Sequence, residues 1–514
     1  MALGRRPAPL IDIEPPEVTM SIAPPVAPAR RIEPALLVTL LLAVAYTVLF
    51  GTISIERYLN FHYGGDTADY AQMLWNTVHG RLLQKTSIYT AGAGLRGGHV
   101  EPILLLLAIP YAVFPDPRTM LALQTLALAS GGPLTYYLAR LHGHGQRVAL
   151  GLATLYLVFP LVHYANIWDF HPDPFAVPAL FGALIAFDTR RWRLLALCLV
   201  VILLTKEQMV LFVFGLGAYW WLARGARRVG LLAIGAALLY GLAVLLPWML
   251  LTASQFSHDY SSYFSDVQQA TAGHASGGLG VRIQAVVNVL AQEWRFQNLF
   301  LALLPTGLLF LLDASALITF LPLAGLFVSN QFTNDFWFHH YVTCVPIFLY
   351  GISRVLTRPH WRQRSGFLAT LLIVWACLLG YIYSDAPLNM MYWLHDPSVY
   401  MADDHSRAQA AFIHAIPAGV GLDSDSSLAS HLTDRVYLYQ IQNPDQPLLV
   451  PYTLLDLHQD MRNPPSWLVE NNRNTLAFIR KTGGFRIARA DRRHGLYLFA
   501  NCARFPMAMS CPRR

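Results

Sequence analysis

Two carboxylates three residues apart, in Gly65-Asp66-Thr67-Ala68-Asp69-Tyr70, are well suited to take a proton from an attacking hydroxyl. On a helix opening near Asp66, residues Asp69, Gln72, Asn76 and His79 share one face, while Tyr70, Ala71, Leu74, Trp75 and Val78 fill the other. Such a helix suits a membrane interface, with its carboxylate face turned to water or substrate. The same acids also fit a plain structural role, Asp66 as helix cap and Asp69 as a first-turn partner of the dipole. In Gly97-Gly98-His99-Val100-Glu101-Pro102, His99 and Glu101 could both ligate a divalent cation such as Mg2+ or Mn2+, given further acids from elsewhere. His171 and Asp173 sit between prolines in Phe170-His171-Pro172-Asp173-Pro174, and Lys206-Glu207-Gln208 interrupts an apolar run. Ionisable groups in such a place face a cavity or one another. His339 and His340, beside Asp335, could bind a phosphate or a metal. No nucleophile elbow, P-loop or GxGxxG is present in the C-terminal region.

The elements that must position these groups are set by composition. The 514 residues are 55% hydrophobic and 13% charged, against roughly 25% charged in a soluble domain. Apolar runs of spanning length recur from residue 34 to 383, and in hydrocarbon each must be helical to satisfy its own backbone. The net charge of +7 lies in short loops between these runs, where it sets orientation and forms no nucleic-acid surface. Residues 1–33, rich in proline, are expected to be a disordered cytoplasmic extension. The first apolar run is too long for a signal-peptide core and should remain as an anchor.

Basic residues then fix the direction of each span. Arg30 and Arg31 place the N-terminus inside and the loop 55–117 outside, with the short apolar piece 103–114 lying at the outer face. Spans over 119–139 and 148–166 follow, and a turn at 206–208 is recessed below the outer surface. A polar outer loop over 252–298 precedes a hairpin of spans, 299–312 and 315–328. The expectation is an all-α polytopic membrane bundle over 34–384, with about eleven spans, N-terminus in and C-terminus out. Residues 385–514 should form a small extracytoplasmic α/β domain, with strands near 420–422, 436–439 and 452–457, a helix near 475–480 and a hairpin over 485–499. Its Cys502 and Cys511 could pair if exported. All the chemistry-bearing residues fall on one side of the membrane.

This arrangement resembles the multi-pass glycosyltransferases of the C-type (GT-C) fold, which use lipid-linked sugar donors. The likeness lies in an early acid after the first span (Asp66), the His99 to Pro102 helix start, many further spans and an exported C-terminal domain. More closely, the chain looks like a bacterial family of uncharacterised membrane proteins in that superfamily. Asp66 with Gln72 and Trp75, Gly98-His99 with Pro102, Phe170-His171-Pro172, Lys206-Glu207, His339-His340-Tyr341, and Leu428 to Arg435 carry that likeness. It departs in having Asp69 as a second acid, so that either aspartate could be the base. The resemblance implies an inverting transfer at the extracytoplasmic face of the cell membrane, from a polyprenyl-phosphate-linked sugar to a glycan, lipid or protein acceptor of the cell envelope. Asp66 or Asp69 would be the base. Lys206 and His171 would stabilise the lipid phosphate, and Gln72, His99, Glu101, Asp173, Glu207, His339 and His340 would shape the donor and substrate site. A transporter or lipid flippase, or a non-enzymatic envelope assembly protein, are the alternatives.

Overall fold

A computed structural model describes residues 33–86, 93–95, 99–251, 263–273, 278–336, 338–382, 401–441, 445–458, 466–508 and 510–511. The expected disordered segment therefore lies outside the described residues, apart from Glu33 at the start of the first helix. α1 (Pro34–Leu59) is opened by a proline at its first turn, where no amide partner is lost. Its Leu37, Leu41, Val44 and Val48 are exposed, as on a lipid-facing surface, while Tyr46, Phe50 and Ile53 enter the core. After a short turn, α2 (Gly65–Val78) lies across α3 (Ile103–Val113), burying Tyr70, Met73 and Leu74 against Leu104, Leu107 and Tyr111. The two-stranded ribbon of β1 (Gln84–Thr86) and β2 (Ala93–Leu95) separates them.

Several apolar runs read as single spans are jointed helices. The run 119–139 divides into α4 (Pro117–Ala129) and α5 (Gly131–Leu141), and 148–166 into α6 (Gln146–Leu157) and α7 (Pro160–Ile167). Gly131 permits the first joint, because any side chain there would meet the Tyr156 ring. Pro160 explains the second. α8 (Ala176–Asp188) is followed by α9 (Trp192–Thr205) and α10 (Met209–Leu222). The latter two have 14 residues each, about 21 Å, and meet at the expected break 206–208. α10 and α11 (Arg227–Tyr240, continuing to residue 251) cross closely at Gly217 and Gly230, where each glycine faces the other's carbonyl oxygen.

The region 252–298, expected as a polar loop, holds helices Ser265–Gly273, Leu279–Leu290 and the start of Glu293–Leu303; residues 252–262 and 274–277 lie outside the described residues. The expected span 299–312 is broken after Leu303, where left-handed Gly307 and Leu308 separate two 3-10 turns. Helices Ala316–Val328, Val345–Leu356 and Ser365–Ile382 complete the bundle. Among the described residues, four helices are long and apolar enough to cross a membrane: Pro34–Leu59, Gln146–Ile167, Arg227–Leu251 and Ser365–Ile382. Shorter apolar helices, α9 and α10 among them, make up most of the remaining apolar bundle.

The C-terminal module follows the expected order. Helix Asp404–Ile413 precedes a five-stranded sheet with order β4-β3-β5-β7-β6, comprising β3 (Leu422–Ser424), β4 (Leu438–Gln440), β5 (Tyr452–Asp456), β6 (Phe485–Asp491) and β7 (Leu496–Asn501). β3 pairs in parallel with both β4 and β5, while β7 runs antiparallel to β5 and β6. Helix Ser466–Thr482 covers one face through Leu476 and Ile479. Cys502 and Cys511 form a disulfide. The other face shares a core with the membrane part: Phe61 and Ala68 pack among Phe412, Leu428, Leu438 and Leu454.

Candidate active site

The loop between α7 and α8 and the first turn of α2 meet at the end of the bundle that carries the C-terminal module. Gln124 of α4 anchors the loop, donating to the Ala165 carbonyl (3.1 Å) and accepting from the His171 amide (2.9 Å). This holds His171 with its Nε2 3.4 Å from Asp66 Oδ2. The His171 ring stacks on His339, with centroids 3.5 Å apart. His339 Nδ1 lies 3.1 Å from Asp173 Oδ2, without the alignment of a hydrogen bond. Asp173 in turn faces Lys206 Nζ at 3.3 Å and accepts from Gln208 Nε2 at 2.7 Å. Lys206 also lies 4.0 Å from Glu101, whose Oε1 accepts from the Tyr70 hydroxyl. Asp66, at the rim, is half exposed; the rest of this path is buried.

Two charges deep in this path sustain each other. Burial opposes the charge on Asp173, but Lys206, His340 and His171 together outweigh it and hold the carboxyl below its usual range. Burial likewise disfavours the Lys206 ammonium, and the surrounding groups, Asp173 and Glu101 foremost, together more than compensate, so it stays protonated.

His99 and Glu101, the pair expected to share a cation, turn to different partners. His99 Nδ1 bonds Glu207 Oε1 at 2.7 Å, and the other Glu207 oxygen accepts from the Val100 amide. Tyr263 contacts the far nitrogen of His99 at 3.2 Å. Three ligand atoms within 4.8 Å of one another occur instead at Asp173, His339 and His340. This nitrogen-rich set fits a borderline ion such as Zn2+ better than the harder Mg2+ or Mn2+, and neither His339 Nδ1 nor His340 Nε2 has a hydrogen-bond partner among the described residues. Lys206 already places one positive charge against Asp173.

Apart from His79 at its exposed end, the polar face of α2 is not turned to water. Asp69 is ion-paired with Lys85 and accepts from Gln440 Nε2 at 2.9 Å. Gln72 is buried, donating to Thr86 Oγ1 (2.9 Å) and the Val436 carbonyl (2.9 Å), and Asn76 donates to the Gln84 carbonyl. The 3-4-3 face therefore meets β1 and the C-terminal module, because spacing marks a polar face without saying what covers it. Asp66 alone of the two acids touches the buried path.

Asp169 was missed in the sequence. It accepts from the Gly64 amide (3.1 Å) and Thr67 Oγ1 (2.8 Å), binding the first turn of α2 to the α7–α8 loop. Gly64 is required there, since a Cβ would lie 2.8 Å from Asp169 Oδ2. An acid two residues before His171 in one turn was the available signal. Burial, and then the Asp66 carboxylate, push the Asp169 carboxyl up to about 6. The Asp66 carboxylate contributes to that rise, so Asp66→Asn should move the Asp169 titration down from about 6 toward an ordinary carboxylate, read by infrared spectroscopy of the carboxyl groups across pH; an unmoved titration would exclude the coupling.

At the opposite end of the helices, Asp188 contacts His142 and Arg224, Asp313 contacts Arg354, and Glu33 contacts Arg140. The basic loops thus gather at one end and the acid–histidine–lysine path at the other.

A family model described as predicted membrane protein (DUF2079) matches residues 62–496, which include every residue of the path. The chain belongs to this family. Among solved structures it is similar to ArnT from Cupriavidus metallidurans bound to undecaprenyl phosphate, with 14% identity, TM-score 0.49, and 90% of this chain and 98% of that one covered. It is also similar to the oligosaccharyltransferase AglB from Archaeoglobus fulgidus in complex with an inhibitory peptide and a dolichol-phosphate, with 12% identity, TM-score 0.45, and 90% and 74% covered. The Archaeoglobus fulgidus oligosaccharyltransferase in complex with Zn and sulfate gives 14% identity, TM-score 0.43, and 81% and 68% covered. Comparison with curated proteins returns no match.

Proposed function

We propose that this membrane protein is an inverting glycosyltransferase that moves a sugar from a polyprenyl-phosphate donor to an acceptor hydroxyl at the extracytoplasmic face. The carrying observation is the continuous path Asp66, His171, His339, Asp173, Lys206, which joins a rim carboxylate to a buried ammonium through contacts of 3.4, 3.5, 3.1 and 3.3 Å. In the proposed step the acceptor oxygen attacks the anomeric carbon and its proton passes to Asp66. The bond from that carbon to the phosphate oxygen breaks, and polyprenyl phosphate leaves with its negative charge facing Lys206 and His171. Asp66 is preferred over Asp69 because both Asp69 oxygens are already engaged, by Lys85 and Gln440. Asp173, His339 and His340 would hold a divalent cation, which when bound would add positive charge toward the phosphate. Glu207 fixes the His99 ring through its Nδ1. The extracytoplasmic assignment rests on the segregation of basic loops to the other end.

A strain lacking the gene should accumulate a polyprenyl-phosphate sugar together with an acceptor short of that sugar, both visible by mass spectrometry of extracted lipids and glycans. Unchanged lipids and glycans alongside a lost uptake activity would favour a transporter and refute the proposal.

A further inference from the structure

The C-terminal module grips the helix that carries Asp66. Gln440, at the end of β4, uses one amide nitrogen to donate to the Gly65 carbonyl (2.8 Å) and to Asp69 Oδ1 (2.9 Å). These two acceptors bracket Asp66 in the first turn of α2. The approach is so close that a Cβ on Gly65 would lie 1.9 Å from Gln440 Oε1. The same stretch of the module is stitched to the membrane part along its length. His431 bonds the Tyr58 carbonyl at 2.8 Å, and its ring lies 4.1 Å from those of Tyr58 and Phe61. Gln72 donates to the Arg435 and Val436 carbonyls, and Thr86 Oγ1 accepts from the Leu438 amide. On its other side, the first turn of α2 is held by Asp169 through Gly64 and Thr67.

We infer that Gln440 is a positioning residue for Asp66, and that the C-terminal module is thereby a structural part of the active site and not an appended acceptor domain. The inference rests on the glycosyl-transfer reading for its kinetic consequence, but its structural content stands separately. The first amide groups of a helix lack intrahelical partners, so its N-terminal turn frays unless other contacts tie it down. Here one tie comes from the α7–α8 loop and the other from a residue 371 positions away. Releasing the second lets the Asp66 carboxylate swing from His171 without touching any group of the buried path.

Two variants of the full-length protein in detergent test this. Gln440→Leu removes both donated bonds. Gly65→Ala keeps Gln440 but displaces its amide, which can yield because it is the end of a flexible side chain. In both, hydrogen–deuterium exchange should accelerate by about tenfold or more at residues 65–69, while exchange in β5, β7 and helix 466–482 stays as in the wild type. Where transfer is measurable, kcat should fall by about ten- to a hundredfold with little change in donor KM, since misplacement of a reacting group by about 1 Å has that effect. Unchanged exchange at residues 65–69 would overturn the inference, as would loosening of the whole module, which would make Gln440 merely structural. A wild-type protein without transfer activity would sink the glycosyltransferase reading and leave the exchange result to decide the positioning.

Discussion

Asp66→Asn is expected to reduce sugar transfer by at least about a hundredfold, within the range that positioned general bases contribute. The substitution is nearly isosteric and the side chain is half exposed, so expression and melting temperature should be unchanged. Donor binding should persist, because Lys206 and His171, the groups assigned to the phosphate, are kept. The loss should therefore appear in kcat, with donor KM little altered. Asp69→Asn provides the contrast. Its carboxylate ties Lys85 and Gln440 to α2, so its replacement should loosen the module and lower activity less. Transfer retained in Asp66→Asn and lost in Asp69→Asn would exchange their roles.

The second large effect concerns Lys206. Replacing it with Gln leaves Asp173 and Glu101 buried without their cation, and removing one partner of a buried ion pair typically costs about 3–5 kcal/mol. Lys206→Gln should thus melt well below the wild type and lack transfer activity. The double variant Lys206→Gln, Asp173→Asn removes the nearer of the two stranded charges, leaving Glu101. It should recover part of the melting temperature in a thermal-shift measurement and yet remain about a hundredfold or more below wild type in transfer, because the leaving phosphate has lost its counter-charge. Recovery of activity along with stability would assign Lys206 a structural role only.

What the sequence disclosed follows from the range of each physical signal. The α2 helix, the short apolar helix after Glu101-Pro102 and the break at 206–208 are local patterns of periodicity and proline, and the structure has them within a few residues. The module's strands were legible for the same reason. Helix joints inside apolar runs were less so. Ser130-Gly131-Gly132 and Leu304-Pro305-Thr306-Gly307 carry small or ring-constrained residues that permit a break, but hydropathy runs through both without change. Pairings across the chain were not legible at all. The Asp66–Asp169 coupling spans 103 residues, and Gln72 and Asp69 find partners more than 350 residues away. A polar helix face looks the same in sequence whether it meets water, a substrate or another part of the protein. That is why Gln72 was grouped with substrate-facing residues when it is buried against Val436.

The structure also changes how the histidines are understood. His99 and Glu101 are two residues apart but diverge, the first to Glu207 and the second to Tyr70, while His339 and Asp173 converge from opposite halves of the chain. The stacked His171 and His339 rings lie between an acid at the rim and an ammonium within.

The most direct test of the account is single-turnover transfer by the purified protein in proteoliposomes, supplied with a polyprenyl-phosphate donor labelled in its sugar and with acceptor material from the strain lacking the gene. The account predicts that label leaves the lipid and reaches the acceptor with inverted anomeric configuration. Label that stays on the lipid while the lipid itself crosses the bilayer would contradict it.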